Sequence, residues 1–281
     1  MLALKSPARN HLADYDEFIS FRKMKKTKAL LTNAKVTITG AYNTYIAAKG
    51  QADHLQRCPA SDVLQRAWKT NYLLLSSGRP MHKMRDDLLK ANRHGRCALC
   101  ARGNAGTLDH HLPKSAFPEF AAFAPNLVPA CDECQRAKGW KWSDDPNRQF
   151  VHAYYDHLPN IEILRVRFAV TSTVTIEYYV DSTATCDASL LKKLQYHFRI
   201  LGLAKHYQQE ASLELSDRSE AIRGIFASGN SAEVRAYLAS EAKSVQRSRG
   251  INNWKSALLS SLADSLSFPD AGIPVLLAQY S

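Results

Sequence analysis

The sequence predicts an α+β fold: a small hairpin-and-helix unit lies between a helical N-terminal part and a C-terminal part made of a second β-hairpin followed by helices. Three observations predict it. Two Cys-x-x-Cys pairs, Cys97/Cys100 and Cys131/Cys134, bracket a segment carrying both strand and helix signals. Apolar residues recur at helical spacing before that segment and again after Asp187. Two runs between 161 and 180 alternate apolar and polar residues, as the strands of a half-buried hairpin do. The expected regions are 1–92, 93–145 and 146–281. No Gly/Pro/Ser-rich linker separates them, so they are expected to pack as one body or as two closely docked ones.

Residues 1–10 read as a loose lead-in. From His11 to about Lys28, Leu12, Tyr15, Phe18, Ile19 and Phe21 keep helical spacing and run into a basic stretch, Arg22 to Lys28. That stretch has two readings, a solvated helix face or a strip lying along a phosphate backbone. A second helix is expected from about Ala34 to Lys49, with a strand at 36–39 as the alternative. Ser61 reads as the N-cap of a helix reaching about Ser76, with Val63, Leu64, Ala67, Trp68, Tyr72 and Leu75 as its core stripe. Pro80 opens the next helix, Met81 to about Arg93, which carries Leu88 and Leu89 inward.

That helix delivers the chain to the first cysteine pair. Two thiolates on a tight turn can reach one tetrahedral ion, so two such knuckles read as a closed structural Zn²⁺ site of Cys97, Cys100, Cys131 and Cys134. The competing readings are four unrelated buried thiols or a pair of disulfides. The latter needs an oxidising compartment, and the N-terminus is too soon charged for a secretory segment, so the expected location is cytoplasmic. Arg102 to Gly106 forms a turn, Thr107 to Leu112 a strand, and Pro113 stops it. Asn126 to Pro129 leads into the second knuckle, and Asp132 to Lys138 forms a short helix ended by Gly139. The basic residues Arg93, His94, Arg96 and Arg102 surround the first turn.

Beyond this unit, Trp140 and Trp142 read as closing a small core, with base stacking as the alternative. His152, Tyr154 and Asp156 form a polar aromatic cluster, read as structural. Ile161–Val170 and Val174–Val180 make the hairpin, placing Arg165 and Arg167 on one face. From Asp187 an amphipathic helix runs with a break near Gly202 to about Phe226. Ser231 is expected to cap a helix through Val245 and Asn253 one from Trp254 to about Leu266, while Phe268 to Pro274 reads as irregular.

Composition bounds the partners. Lys and Arg total 37 against 26 for Asp and Glu, a formal charge of +11, with a pI near 9.4. Such an excess favours a polyanion, since each neutralised phosphate releases counterions. No window has the ~18–20 uncharged apolar residues that a membrane span needs. Cys58 and Cys186 read as reduced thiols.

Three stretches, Leu108-Asp109-His110-His111-Leu112-Pro113, Asn126-Leu127-Val128-Pro129 and Cys131 to Gly139, resemble the HNH endonuclease family and its ββα-metal fold. The resemblance extends through Phe150 to Asp156 to a His-x-Tyr-x-Asp element of some longer members. It implies that Asp109 holds a catalytic Mg²⁺ or Mn²⁺, that His110 is the general base, and that Asn126 hydrogen-bonds across the loop to orient it. Gln135 stands where the family has a second metal ligand, His or Asn; its amide oxygen suits Mg²⁺ at a longer reach. His111 is a further imidazole, either a ligand or a packing residue.

The implied activity is hydrolysis of DNA phosphodiester bonds, with RNA an open alternative and bacterial anti-phage defence or restriction as the setting. Histidine titrates near neutrality and a hard cation offsets phosphate charge, which is what this reaction asks for. Arg102, Lys114, Arg136, Lys138 and Lys141 are the expected contacts to nucleic acid. Two other readings stand beside this one. A zinc-stapled nucleic-acid-binding module without catalysis draws on Gln135. A nuclease active only with a partner protein, such as an ATPase, fits the absence of a nucleotide-binding loop in the sequence.

Overall fold

The computed structural model describes residues 2–92, 94–265 and 268–280. It is mixed helix and sheet, with helices predominating and two small antiparallel hairpins. The chain divides into two units, one of residues 1–157 with 192–197 and the other of 158–191 with 198–281. The regions expected at 1–92 and 93–145 therefore fall in one unit, and residues 146–281 are shared between both.

In the first unit, α1 (His11–Ser20) is capped by Asn10, whose side chain accepts from Ala13 N. The single helix expected to Lys28 is instead broken. Residues 21–24 leave the helical path before α2 (Lys25–Asn33) begins, and α3 (Lys35–Ala47) follows almost without interruption. The reason lies at Arg22, whose guanidinium turns inward to Ala67 O at 3.1 Å and to the Asn71 side chain, so the basic run cannot continue one solvated face. Its lysines, Lys23, Lys25, Lys26 and Lys28, are exposed. The strand alternative at 36–39 is helix within α3. Ser61 caps α4 (Asp62–Asn71), which tightens into a 3₁₀ turn at Tyr72–Leu75. α5 (His82–Lys90) starts one residue past Met81; Arg93, at its expected end, lies outside the described residues.

These helices enclose an aromatic-rich loop. Phe117, Phe120 and Phe123 are each almost wholly buried and meet Tyr15, Leu31, Ile38, Tyr42, Tyr45 and Trp68 in one core. Tyr42 stacks on Phe123 with ring centroids 4.0 Å apart, and Tyr45 meets Phe120 edge-on at 4.8 Å. Each such ring contributes roughly 2–3 kcal/mol of apolar burial. A second cluster, with Phe18, Leu75, Met84, Leu88, Leu108 and Leu127, backs the first hairpin.

That hairpin pairs β1 (Thr107–His110) with β2 (Leu127–Ala130) antiparallel, Asp109 opposite Val128 and His110 opposite Leu127. It leads into α6 (Asp132–Lys138), which ends at Gly139 with φ 55°.

In the second unit, β3 (Leu164–Val170) and β4 (Val174–Val180) form the expected hairpin. Leu164 and Val166 face inward, while Arg165 and Arg167 face outward in ion pairs with Asp181 and Glu177. The Asn252 side chain accepts from Ile163 N and Leu164 N and donates to Ile161 O, fixing the start of β3. α7 (Ala188–Ile200) belongs to this unit except for residues 192–197. α8 (Leu203–Ser228) follows Gly202, and α9 (Ser231–Arg249) is capped by Asn230 rather than Ser231 because the Asn230 amide oxygen reaches two helix N–H groups. α10 (Trp254–Asp264) is capped by Asn253; its expected end at Leu266 lies outside the described residues. The stretch expected to be irregular is a π turn, Phe268–Gly272, leading into α11 (Ile273–Gln279), with Phe268 buried to anchor it. Among the described residues no helix is long and apolar enough to cross a membrane.

Gly50 and Gly202 separate two costs. Both have positive φ, 71° and 61°, but a Cβ at Gly50 would lie 2.7 Å from the His152 ring and 2.9 Å from the Tyr45 hydroxyl, whereas one at Gly202 meets nothing. Gly50→Ala should lower stability by about 2–4 kcal/mol, strain plus overpacking, and Gly202→Ala by about 1. Urea denaturation of both variants checks this; equal losses would exclude the clash at His152.

Candidate metal centre and cleft

The four cysteine Sγ atoms all lie within 4.8 Å of one another, with all four residues buried. A tetrahedron with ~2.3 Å Zn–S bonds has edges of about 3.8 Å, and Cys100 Sγ and Cys131 Sγ stand 3.9 Å apart. The tetrad can hold a zinc ion, and its chemistry fits one. Ala101 adopts φ 58°, folding the first knuckle so that the N–H groups of Arg102 and Gly103 donate to Cys100 Sγ at 3.4 and 3.5 Å. Bonds among the four thiols divide their acidity: they hold Cys100 well below its usual range and push Cys97 and Cys134 above it, as expected of thiols crowded into one small site. At Gly103 a Cβ would sit 2.9 Å from Cys131 Cβ, so only glycine lets the two knuckles close.

Beside the tetrad, Asp109 and His110 on β1 and Gln135 on α6 line one cleft of about 330 Å³, with Tyr72, Lys114, Gly139 and Trp140 among its other walls. The hairpin register and the one-residue step from Cys134 to Gln135 bring these side chains together. His110 Nε2 lies 2.9 Å from Ala121 O. A carbonyl only accepts, so the contact favours the tautomer with its proton on Nε2 and leaves Nδ1 with the lone pair. The ring packs against Tyr72 at 4.5 Å, and burial pushes its pKa down to about 3, a departure from the near-neutral titration expected of it: the imidazole is neutral at physiological pH but a weaker base than a solvated histidine.

Asp109 is buried, and burial raises its carboxyl above the usual range although Lys138 pulls the other way. Its Oδ2 forms an ion pair with Lys138 Nζ at 3.1 Å, and the same ammonium donates to His110 O at 2.6 Å. A carboxylate is also the hard oxygen donor that a Mg²⁺ or Mn²⁺ site uses, but here Lys138 already offsets its charge. Gln135 Oε1 accepts the Thr107 hydroxyl at 3.2 Å, on the same side of the hairpin.

Asn126 does not line the cleft. Fully buried behind it, its Oδ1 accepts from Leu112 N at 2.8 Å and Tyr45 Oη at 3.0 Å, and its Nδ2 donates to Leu112 O and Phe120 O. The loop so fixed carries Ala121 O, the carbonyl that orients His110. His111 points elsewhere, its ring tilted against that of His152 with centroids 3.9 Å apart, and burial drives its pKa well down. His152 accepts from Tyr154 N through Nδ1 and donates from Nε2 to Tyr45 Oη at 3.0 Å. Its element therefore supports Asn126 rather than reaching the cleft.

The expected nucleic-acid contacts divide. Lys114 lines the cleft, its ammonium 4.6 Å above the Tyr72 ring. Arg136 and Lys141 are exposed. Arg102 pairs with Glu133. Lys138 is a correction: it is 1% exposed, held between Asp109, His110 O and the Phe150 ring, and has no path to a phosphate in solution. Trp140 also departs from the core reading, at 79% exposed, while Trp142 packs edge-on against Phe117 at 5.0 Å.

Two residues that sequence reasoning missed complete the site. Tyr45 links Asn126 to His152, and His197 ties the first knuckle down, donating from Nε2 to Leu99 O at 2.8 Å while Nδ1 accepts from Val151 N. Their partners are 46 to 107 positions away in sequence, and no local spacing announces them.

Comparison with known proteins gives little more. No protein-family model matches the sequence, and no solved structure matches it. Protein ea31 of Escherichia phage lambda is 28% identical over 158 residues, 55% of this chain and 52% of ea31, so this chain spans about half the length of that relative.

Two outcomes follow. The purified chain should carry one zinc by elemental analysis, and Cys134→Ser or chelation should release it with a marked fall in Tm, because metal-binding energy at such sites is folding energy; unchanged Tm after zinc loss would refute a structural role. Burial lowers His197 to about 4 and His152 to about 3. Below pH 6.5 the unfolded chain binds protons that the native state refuses, so stability is full above that pH and lost beneath it. From pH 7 to 5 each should remove about 2 kcal/mol, and His197→Gln should flatten the measured pH dependence by that amount.

Proposed function

We propose that this chain is a metal-dependent endonuclease of the HNH type, hydrolysing DNA phosphodiester bonds with His110 as general base. The observation that carries the reading is the meeting of Asp109, His110 and Gln135 in one cleft beside a four-cysteine metal centre, with the His110 ring held by Ala121 O.

Asp109 and Gln135 would hold the divalent ion, which supplies positive charge against the phosphate and the departing oxygen. The chain's own residues do the rest. His110 takes the water proton at Nδ1, the atom left free by the Nε2 contact. Asn126 keeps that base aimed by fixing the loop that bears Ala121. Lys138 partly neutralises Asp109 from inside, and Lys114 can meet a phosphate at the cleft wall. Arg136 on α6 and Lys141 just beyond it, both exposed, would hold the strand through its backbone, which orients without reading sequence.

Supercoiled plasmid incubated with Mg²⁺ or Mn²⁺ tests this. The native chain should nick or linearise it. His110→Ala should retain its zinc yet lose activity by roughly 10²–10⁴-fold, and Gln135→Ala should raise the metal concentration needed. Zinc-loaded protein that binds DNA but never cuts it, alone or with added partner proteins, would replace this reading with that of a binding module.

A further inference from the structure

We propose that Trp140 is a stacking platform for an unpaired base beside the scissile phosphate, which makes single-stranded or locally unpaired DNA the substrate class. This rests on reading the cleft as the nuclease site. α6 ends at Gly139, and the next residue puts its indole out at 79% exposure while lining the same cleft as Asp109, His110 and Gln135. Trp142, two positions on, is instead covered by the Phe117 ring and by the Arg57 guanidinium at 4.9 Å. Among the described residues no ring or cation covers Trp140. An indole left in water at the rim of the cleft that holds Asp109 and His110 presents an open aromatic face to whatever occupies that cleft.

Its chemistry points to a nucleobase. Every base offers a π-face, and an aromatic platform accepts any of them. In a duplex those faces are buried in the stack and only base edges meet the grooves, so an indole face engages a base only when that base is unpaired or extruded. The cleft volume of about 330 Å³ lies at the low end for ligand sites, roughly 300–1,000 Å³. That is room for about one nucleotide, with its phosphate toward His110 and Lys114 and its base toward Trp140.

The test uses full-length, zinc-loaded protein without Mg²⁺ or Mn²⁺, so that nothing is cut. Fluorescence anisotropy reads the binding of labelled oligo(dT) and of a duplex of equal length. Trp140→Ala should weaken oligo(dT) binding about tenfold or more, Trp140→Phe should restore most of it, and duplex binding should hold within about twofold. Oligo(dT) should also quench tryptophan emission in the native protein and do so less in Trp140→Ala. The proposal is overturned by an unchanged oligo(dT) affinity in Trp140→Ala, by equal weakening toward both DNAs, which would mark a wedge between duplex steps, or by binding to neither. Selective loss of oligo(dT) binding in a chain that never cuts plasmid would leave the stacking site standing and remove the hydrolase. Cutting that survives with Trp140 dispensable would do the reverse.

Discussion

The carboxamide of Asn126 is the interaction on which the rest of the first unit depends. Wholly buried, it engages the backbone on both sides of the loop after β1 and takes the Tyr45 hydroxyl as well. A carboxamide has two acceptor lone pairs and two N–H donors, and here all four are used. A buried polar group left half satisfied would cost about 1–3 kcal/mol. The loop therefore has one low-energy path, and along it the Phe117, Phe120 and Phe123 rings reach the helical layer while Ala121 O reaches His110. Core and cleft are set by one side chain.

From Asn126 outward, support passes through directed hydrogen bonds. His152 donates to Tyr45, Tyr45 to Asn126, and Asn126 to the loop carbonyls. The His152 tautomer is fixed at the far end by Tyr154 N. Neutral imidazoles are essential to this chain, which is why burial and a cationic neighbour, Lys193, matter as much as geometry. On the other side, Lys138 spans β1 and α6, so the helix bearing Cys134 and Gln135 cannot shift without exposing a charge pair.

What could be read from the sequence was what short spacings encode. Cys-x-x-Cys pairs, the turn after Lys138, the Ser61 and Asn253 caps and the alternation of 164–180 concern residues within a few positions of one another, where local geometry decides. The misreadings share another origin. Arg22 breaks the first helix for partners nearly fifty residues away, and Lys138 looks like a surface lysine until Asp109 and Phe150 close around it. Trp140 and Trp142 differ by two positions and are alike in composition; only the direction in which the chain leaves Gly139 separates an exposed indole from a packed one. His197, almost a hundred positions from Leu99, carries no spacing signal at all.

Residues 192–197 count with the first unit although the chain on either side of them counts with the second. The unit holding the cleft is thus not a contiguous cassette. A fragment ending at 157 would lack His197, whose ring satisfies Leu99 O and Val151 N, and Lys193, which faces Asp156 at 3.6 Å. The knuckle would lose its brace, and two buried backbone groups their partners. Gene fusion or shuffling that transplanted the cysteine-bearing part by a single cut would move an incomplete fold, so this unit can be inherited only together with the helix that returns to it.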